Sequence, residues 1–290
     1  MAELNANNYL NLIGYILNVA VTFGASSFFS FPDNAELSNK YQTIVTPAGL
    51  SFAIWGIIFL SQGFFAVLQM LSSYRSHGFV QEGVKYWYFV ACVFQSIWTF
   101  AFGYEVIGLS FLCMGGIFLS LLPIVRNQSR LGSEFEEFES SQAISDFWVL
   151  KFPFSIHCGW IAAAFAVNAN VFLVASGVQA AAQERWAYAT VMYTVGCAMV
   201  ALFYLPSPDF TIPYVLVWAT MGIAIELKSP KDSIVNVFTD AVIGRVRAAV
   251  LGVCVMLAIV TTGYGIYRAV YMGRRLNSRS NETQVYTRVD

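Results

Sequence analysis

The residues able to do chemistry in this chain sit inside apolar runs, and their spacing is what makes them legible. Asn11, Tyr15, Asn18 and Thr22 recur at steps of four, three and four, which places them on one face of a helix. Phe52, Trp55, Phe59, Gln62, Ala66 and Gln69 keep the same rhythm. Tyr88, Gln95, Trp98 and Phe102 make a third row, and Pro153, His157, Trp160, Ala164 and Asn168 a fourth. Amides and indoles so arranged admit two readings. They can knit helices together by hydrogen bonds worth about 0.6 kcal/mol each, or converge on a mostly apolar pocket with a few orienting polar groups. Tryptophan favours the pocket, because a bulky indole holds helices apart where small residues would let them close.

His157 is the one histidine within an apolar run, since His77 falls in a polar stretch. An imidazole at membrane depth faces the interior, where it can coordinate a haem iron, hydrogen-bond a ligand, or rest neutral against a neighbouring amide. Catalytic arrangements are scarce. The chain has no Gly-x-Ser-x-Gly, phosphate loop, His-Glu-x-x-His or dinucleotide fingerprint. Acidic residues near membrane depth are confined to edges such as Glu105 and Glu226, which gives no support to a proton relay. The cysteines, Cys92, Cys113, Cys158, Cys197 and Cys254, are scattered without a Cys-x-x-Cys pair and read as small core residues.

The elements that must position these rows are membrane helices. Of 290 residues, 57% are hydrophobic and only 11% charged, against roughly 25% charged in a soluble domain. A net charge of −1 excludes an electrostatic case for nucleic acid. Apolar runs of bilayer-crossing length fall near 9–30, 48–71, 86–104, 107–125, 147–176, 186–205, 211–227 and 247–271, the seventh being the shortest. The fold class is therefore all-α, a polytopic transmembrane bundle in the lipid bilayer, with both termini on one side. The stretches 31–47, 126–146 and 228–246 read as connections, the second a solvated acidic loop with Glu134, Glu136, Glu137 and Glu139. Ten of the 16 Lys and Arg residues fall on the side of the termini, a weak bias toward a cytosolic placement. On that side the sequons at Asn127 and Asn281 are chance matches. The first span follows an acidic, Lys- and Arg-free start, so it reads as a retained helix rather than a cleaved signal.

Three segments carry a resemblance. Pro47, Phe52 and Trp55, with Phe59 one turn on, resemble the second-helix signature of the translocator protein family, also called tryptophan-rich sensory proteins, where Tyr is usual at the last position. Gln95-Ser-Ile-Trp98-Thr is similar to that family's Asn-x-x-Trp-Ser, with Gln in place of Asn. Trp160-x-x-x-Ala164-x-x-x-Asn168 resembles its fifth-helix pattern. Pro153-Phe-Ser, Gly159-Trp160 and Trp218-Ala-Thr-Met-Gly-Ile223 echo a longer bacterial branch.

The resemblance implies a five-helix core over 1–176, three additional transmembrane helices over 177–272 and a polar tail over 273–290. It implies a pocket capped by the first connection that takes haem, another porphyrin or a sterol-like molecule. The site residues it carries over, together with those of the rows, are Pro47, Phe52, Trp55, Phe59, Gln95, Trp98, His157, Trp160 and Asn168. The family's tryptophan before the proline is not evident, and Tyr41 is the nearest aromatic. The function expected is a receptor or carrier for a hydrophobic small molecule, tetrapyrrole- or sterol-like. An eight-helix transporter and a porphyrin-modifying enzyme are the alternatives. A homodimer is compatible with such a bundle.

Overall fold

The computed structural model describes residues 3–29, 31–32, 34–135 and 141–286, and among these it is helical with no strand. α1 (Ala6–Phe29) is followed by a connection holding the short α2 (Asn34–Lys40). A 3-10 turn at Gly49–Ala53 then opens α3 (Ile54–Leu68). α4 (Trp87–Gly103) and α5 (Ile107–Phe135) are joined by a tight turn. α6 (Ser141–Asp146) runs through a π-helical turn, Phe147–Lys151, into α7 (Phe152–Ala175). α8 (Ala180–Met199), α9 (Thr211–Glu226), the one-turn α10 (Asp232–Val235) and α11 (Asp240–Tyr286) complete the chain.

Six of these helical stretches are long and apolar enough to cross a bilayer, and this is a multi-pass integral membrane protein. α4 and α9, at 17 and 16 residues, are shorter apolar helices packed within the bundle. Contacts at the two ends show these six helices and the two shorter ones alternating in direction. At one end Asn8 donates to Gln69 beyond α3, Gln128 to the Leu150 carbonyl before α7, and Ser129 to the Ser207 carbonyl after α8. At the other, Lys40 meets Glu105 after α4, Gln42 meets Glu226 closing α9, and Arg245 opening α11 meets Glu184 opening α8. The start of α1 and the later part of α11, where Tyr264 packs on Phe203 and Phe210, therefore share an end.

Membrane burial of backbone demands local satisfaction, and the helix ends show how it is met. α7 stops at Gly177, whose φ of 70° lets the amides of Gly177 and Val178 reach back to Val174 and Leu173. α4 stops in the same way at Glu105, with φ 59° and Val106 bonded to Ala101, although a side chain there is strained by about 1–2 kcal/mol.

The main core runs from Ile54 and Phe65 through Tyr88, Leu121, Phe154 and Ile161 to Leu216 and Leu257, joining α3 to α11 without a break at 176. A second core packs Ile44 and Val45 of the connection against α8, α9 and α11. Two expectations change here. The stretch 126–146 is not a simple loop, because α5 continues to Phe135 with Gln128 and Ser129 fully buried and bonded to neighbouring carbonyls. Its residues Glu136, Glu137 and Glu139 lie outside the described ones. α11 carries helix on through 273–286, the described part of the polar tail. The connection 31–47 is buried from Gln42 to Pro47, for the packing reason just given.

Candidate ligand site

All four polar and aromatic rows turn inward. On α1, Asn8, Asn11 and Asn18 are buried; on α3, Phe59, Gln62, Ala66 and Gln69; on α4, Tyr88, Gln95 and Phe102; on α7, Pro153, His157, Trp160 and Asn168. Each helix reaches its neighbours where a small residue permits it. A methyl on Gly63 would lie 2.5 Å from the Tyr15 hydroxyl, which donates to the Phe59 carbonyl at 3.2 Å.

Between α1, α3, α4 and the connection lies a cleft of about 320 Å³. Its rings are Phe23, Phe31, Trp55, Phe59 and Trp98; its polar groups are Thr22, Ser26, Asn34, Gln95 and Thr99, with Pro32 beside them. Among the described residues that line it there is no ionisable side chain. Of the residues expected from sequence, Trp55, Phe59, Gln95 and Trp98 line this cleft. Asn168 stands behind Trp98, accepting its indole N–H at 3.3 Å while donating to the Ala164 carbonyl. Phe52, His157 and Trp160 form a second row behind Trp55. Trp160 meets Phe52 edge-on at 5.6 Å and Trp55 at 6.4 Å, and Trp55 meets His157 at 5.8 Å. Pro47 is not in the cleft. It is buried against α9, where a methyl on Gly222 would lie 3.1 Å from its Cβ.

Sequence reasoning missed Phe23, Ser26, Phe31, Pro32, Asn34 and Thr99. Two of these had a signal, since Ser26 is the next step of the α1 row after Thr22 and Thr99 lies one turn beyond Gln95. The connection residues had none, because their position depends on distant helices.

His157 heads a buried hydrogen-bond chain. The Tyr88 hydroxyl donates to Gln62 Oε1 at 3.1 Å, and Gln62 Nε2 lies 2.8 Å from His157 Nδ1. Nδ1 is therefore engaged by Gln62, and the other ring nitrogen, Nε2, is buried. That bears on haem. His157 also stands behind Trp55 rather than in the cleft. Among the described residues lining the cleft there is no axial ligand for haem iron and no cation to meet propionates. Among the described residues no group of His, Cys, Asp and Glu is placed to hold a metal ion.

Three buried polar atoms around Trp55 and the cleft lack a hydrogen-bond partner among the described residues: Gln95 Oε1, His157 Nε2 and Trp160 Nε1. Orphans of this kind are rare in a finished core and call for a partner supplied from elsewhere.

A family model described as TSPO-like protein matches residues 8–267. The chain belongs to the TSPO-like protein family. The match continues past the three sequence signatures, which end at Asn168, and takes in α8, α9 and most of the membrane part of α11. No curated protein and no solved structure matches the chain.

Outside the membrane segments the strongest electrostatics belong to the connection. Lys40 Nζ and the Tyr41 hydroxyl both reach Glu105 Oε2 at 2.5 Å. Lys40, then Tyr41, holds the Glu105 carboxyl below its usual range. The hydrogen bond to Glu105, aided by burial, pushes the Tyr41 phenol up to about 12.

A buried carboxylate escaped the sequence reading. Asp209 is 2% exposed, accepts from the Ser155 hydroxyl at 2.5 Å, and takes the amides of Thr211 and Ile212 at the start of α9. It ties α9 to α7 and has no contact with the cleft.

Proposed function

We propose that this protein is a membrane receptor or carrier that binds an uncharged hydrophobic small molecule in the cleft between α1, α3, α4 and the connection. The observation that carries this reading is the lining itself: among the described residues it is five aromatic rings and five neutral polar groups with no ionisable side chain. Such a surface suits a largely apolar ligand oriented by a few hydrogen bonds. Of the two ligand classes the family resemblance implies, this lining favours the sterol-like one. A tetrapyrrole brings carboxylates, and an unpaired carboxylate is costly to desolvate.

The test is quenching of tryptophan fluorescence in purified protein titrated with a fluorescent sterol and with protoporphyrin. The sterol is expected to bind more tightly. Trp55→Ala should weaken it by about 1–3 kcal/mol, the range for a ring stacked on an aromatic side chain, or roughly 5- to 150-fold in Kd. Tighter protoporphyrin binding, or a sterol affinity indifferent to Trp55→Ala, would rule this reading out.

One observation favours transport as the second reading. The α1 row continues the polar lining from Thr22 back through Asn18 and Asn11 to Asn8, and neither amide atom of Asn11 has a partner among the described residues. Ligand flux into sealed vesicles, lost in Asn11→Leu, would select it.

A further inference from the structure

The connection that supplies Phe31, Pro32 and Asn34 to the cleft is anchored at both ends, and the anchors belong to different parts of the chain. On one side Leu37 is buried with Phe102, Ile107 and Val171, and Lys40 and Tyr41 converge on Glu105. Glu105 occupies the left-handed position that closes α4, where glycine is the residue the backbone prefers. A side chain kept there despite the strain is one whose carboxylate is in use.

On the other side the connection enters the three C-terminal membrane helices. Ile44 and Val45 are at most 1% exposed, packed with Ala187, Val191, Ile223 and Val246. The Ala48 amide donates to the Gly222 carbonyl, and the Trp218 indole donates to the Ser51 carbonyl. A methyl on Gly222 would lie 1.9 Å from Ser51 Oγ and 3.0 Å from Ser51 Cβ, so glycine is what allows the approach. Lys231, just beyond α9, donates to Asn39 Oδ1 at 2.6 Å and Gln42 Oε1 at 3.2 Å, and Gln42 in turn donates to Glu226.

We propose that α8, α9 and α11 form a dock that holds the connection against the cleft, with Lys231 and Glu105 as two latches whose release opens it. This gives the C-terminal helices a task distinct from lining the site, since none of their described residues lines the cleft. Displacing α9 or the turn after it would move Asn39 and Gln42, and through α2 the wall residue Asn34. The purpose of the device rests on the cleft being a binding site, but its mechanics do not.

The experiment needs no ligand. Ser26→Cys places a thiol in the cleft, and its rate of modification by a charged methanethiosulfonate is compared with the parent, which supplies the native-cysteine background. Lys231→Met and Glu105→Gly should each raise the rate at least threefold, and together further. Glu105→Gly is the control for misfolding, because relief of the left-handed strain offsets the lost contacts to Lys40 and Tyr41 and the melting temperature should change little. Unchanged rates in both variants would overturn the latches. Acceleration by Glu105→Gly alone would overturn the dock. Acceleration by Lys231→Met that tracks an equal loss of melting temperature would reduce it to general loosening, which also overturns the proposal. A sterol that fails to bind while both rates rise would instead refute the ligand reading and leave the dock standing.

Discussion

Gln62 bridges α4 and α7 from α3, and its replacement isolates what that bridge contributes. In Gln62→Leu the side chain stays apolar and of similar size, but the Tyr88 hydroxyl and His157 Nδ1 lose the groups they bond. Both residues are at most 1% exposed, so water does not readily take the place of the amide. A buried polar group left unpaired costs about 1–3 kcal/mol in soluble proteins. Inside a bilayer the average interhelical hydrogen bond is nearer 0.6 kcal/mol, because the unfolded reference also finds partners. Two broken bonds, offset in part by the added apolar contact of leucine, give an expected loss of about 1–3 kcal/mol. The assay is reversible denaturant unfolding in bicelles followed by tryptophan fluorescence. Tyr88→Phe removes the orphaned hydroxyl, so the double variant should be less destabilised than the sum of the singles, by about 1 kcal/mol. A Gln62→Leu protein within 0.5 kcal/mol of the parent, or strictly additive costs, would show that the three side chains are neighbours without being coupled.

Asp209→Ala should destabilise by about 2–3 kcal/mol, since hydrogen bonds to a charged acceptor are the stronger kind; Ser155→Ala should cost less, because the carboxylate keeps its two backbone donors, and both are read in the same unfolding assay. Glu105→Gln should bring the Tyr41 phenol down from about 12 toward its ordinary value, measured as phenolate absorbance against a Tyr41→Phe blank. The contact also has a sign in acid. Because Glu105 is held below its usual range, its contribution is present above the ordinary carboxylate pKa and is lost as pH falls through the folded value. Cleft accessibility should accordingly rise only in acid, and Glu105→Gln should show the acid level at neutral pH.

The membrane helices were readable because lipid leaves the backbone no other choice and the apolar runs match the bilayer in length. The inward rows on α1, α3, α4 and α7 were readable for a related reason: a polar side chain among lipid-facing neighbours has only one direction in which to be satisfied. Periodicity could say that Trp55, Trp98 and Trp160 face inward, but not that Trp55 and Trp98 would line the cleft while Trp160 stood behind. That ordering is set by helix rotation and by close approaches such as Tyr15 on Gly63. Asp209 was missed because its partner, Ser155, is 54 residues away. That Pro47 packs on Gly222 was not legible, because the proline-to-tryptophan signature and the Trp218-to-Ile223 motif lie about 170 residues apart and neither names the other as its neighbour.

The buried stretch from Gln42 to Pro47 has a consequence for how the protein is made. Its packing partners extend to Val250, about 200 residues further along the chain. At synthesis rates of roughly 5–20 residues per second, those partners arrive about 10–40 s after the connection has left the ribosome. Ile44 and Val45 meet Ala187 and Val191 when α8 emerges, and their partners on α9 and α11 only later. On the dock proposed above, a truncated chain ending before α9 would leave the connection held at its Glu105 end and against α8 alone.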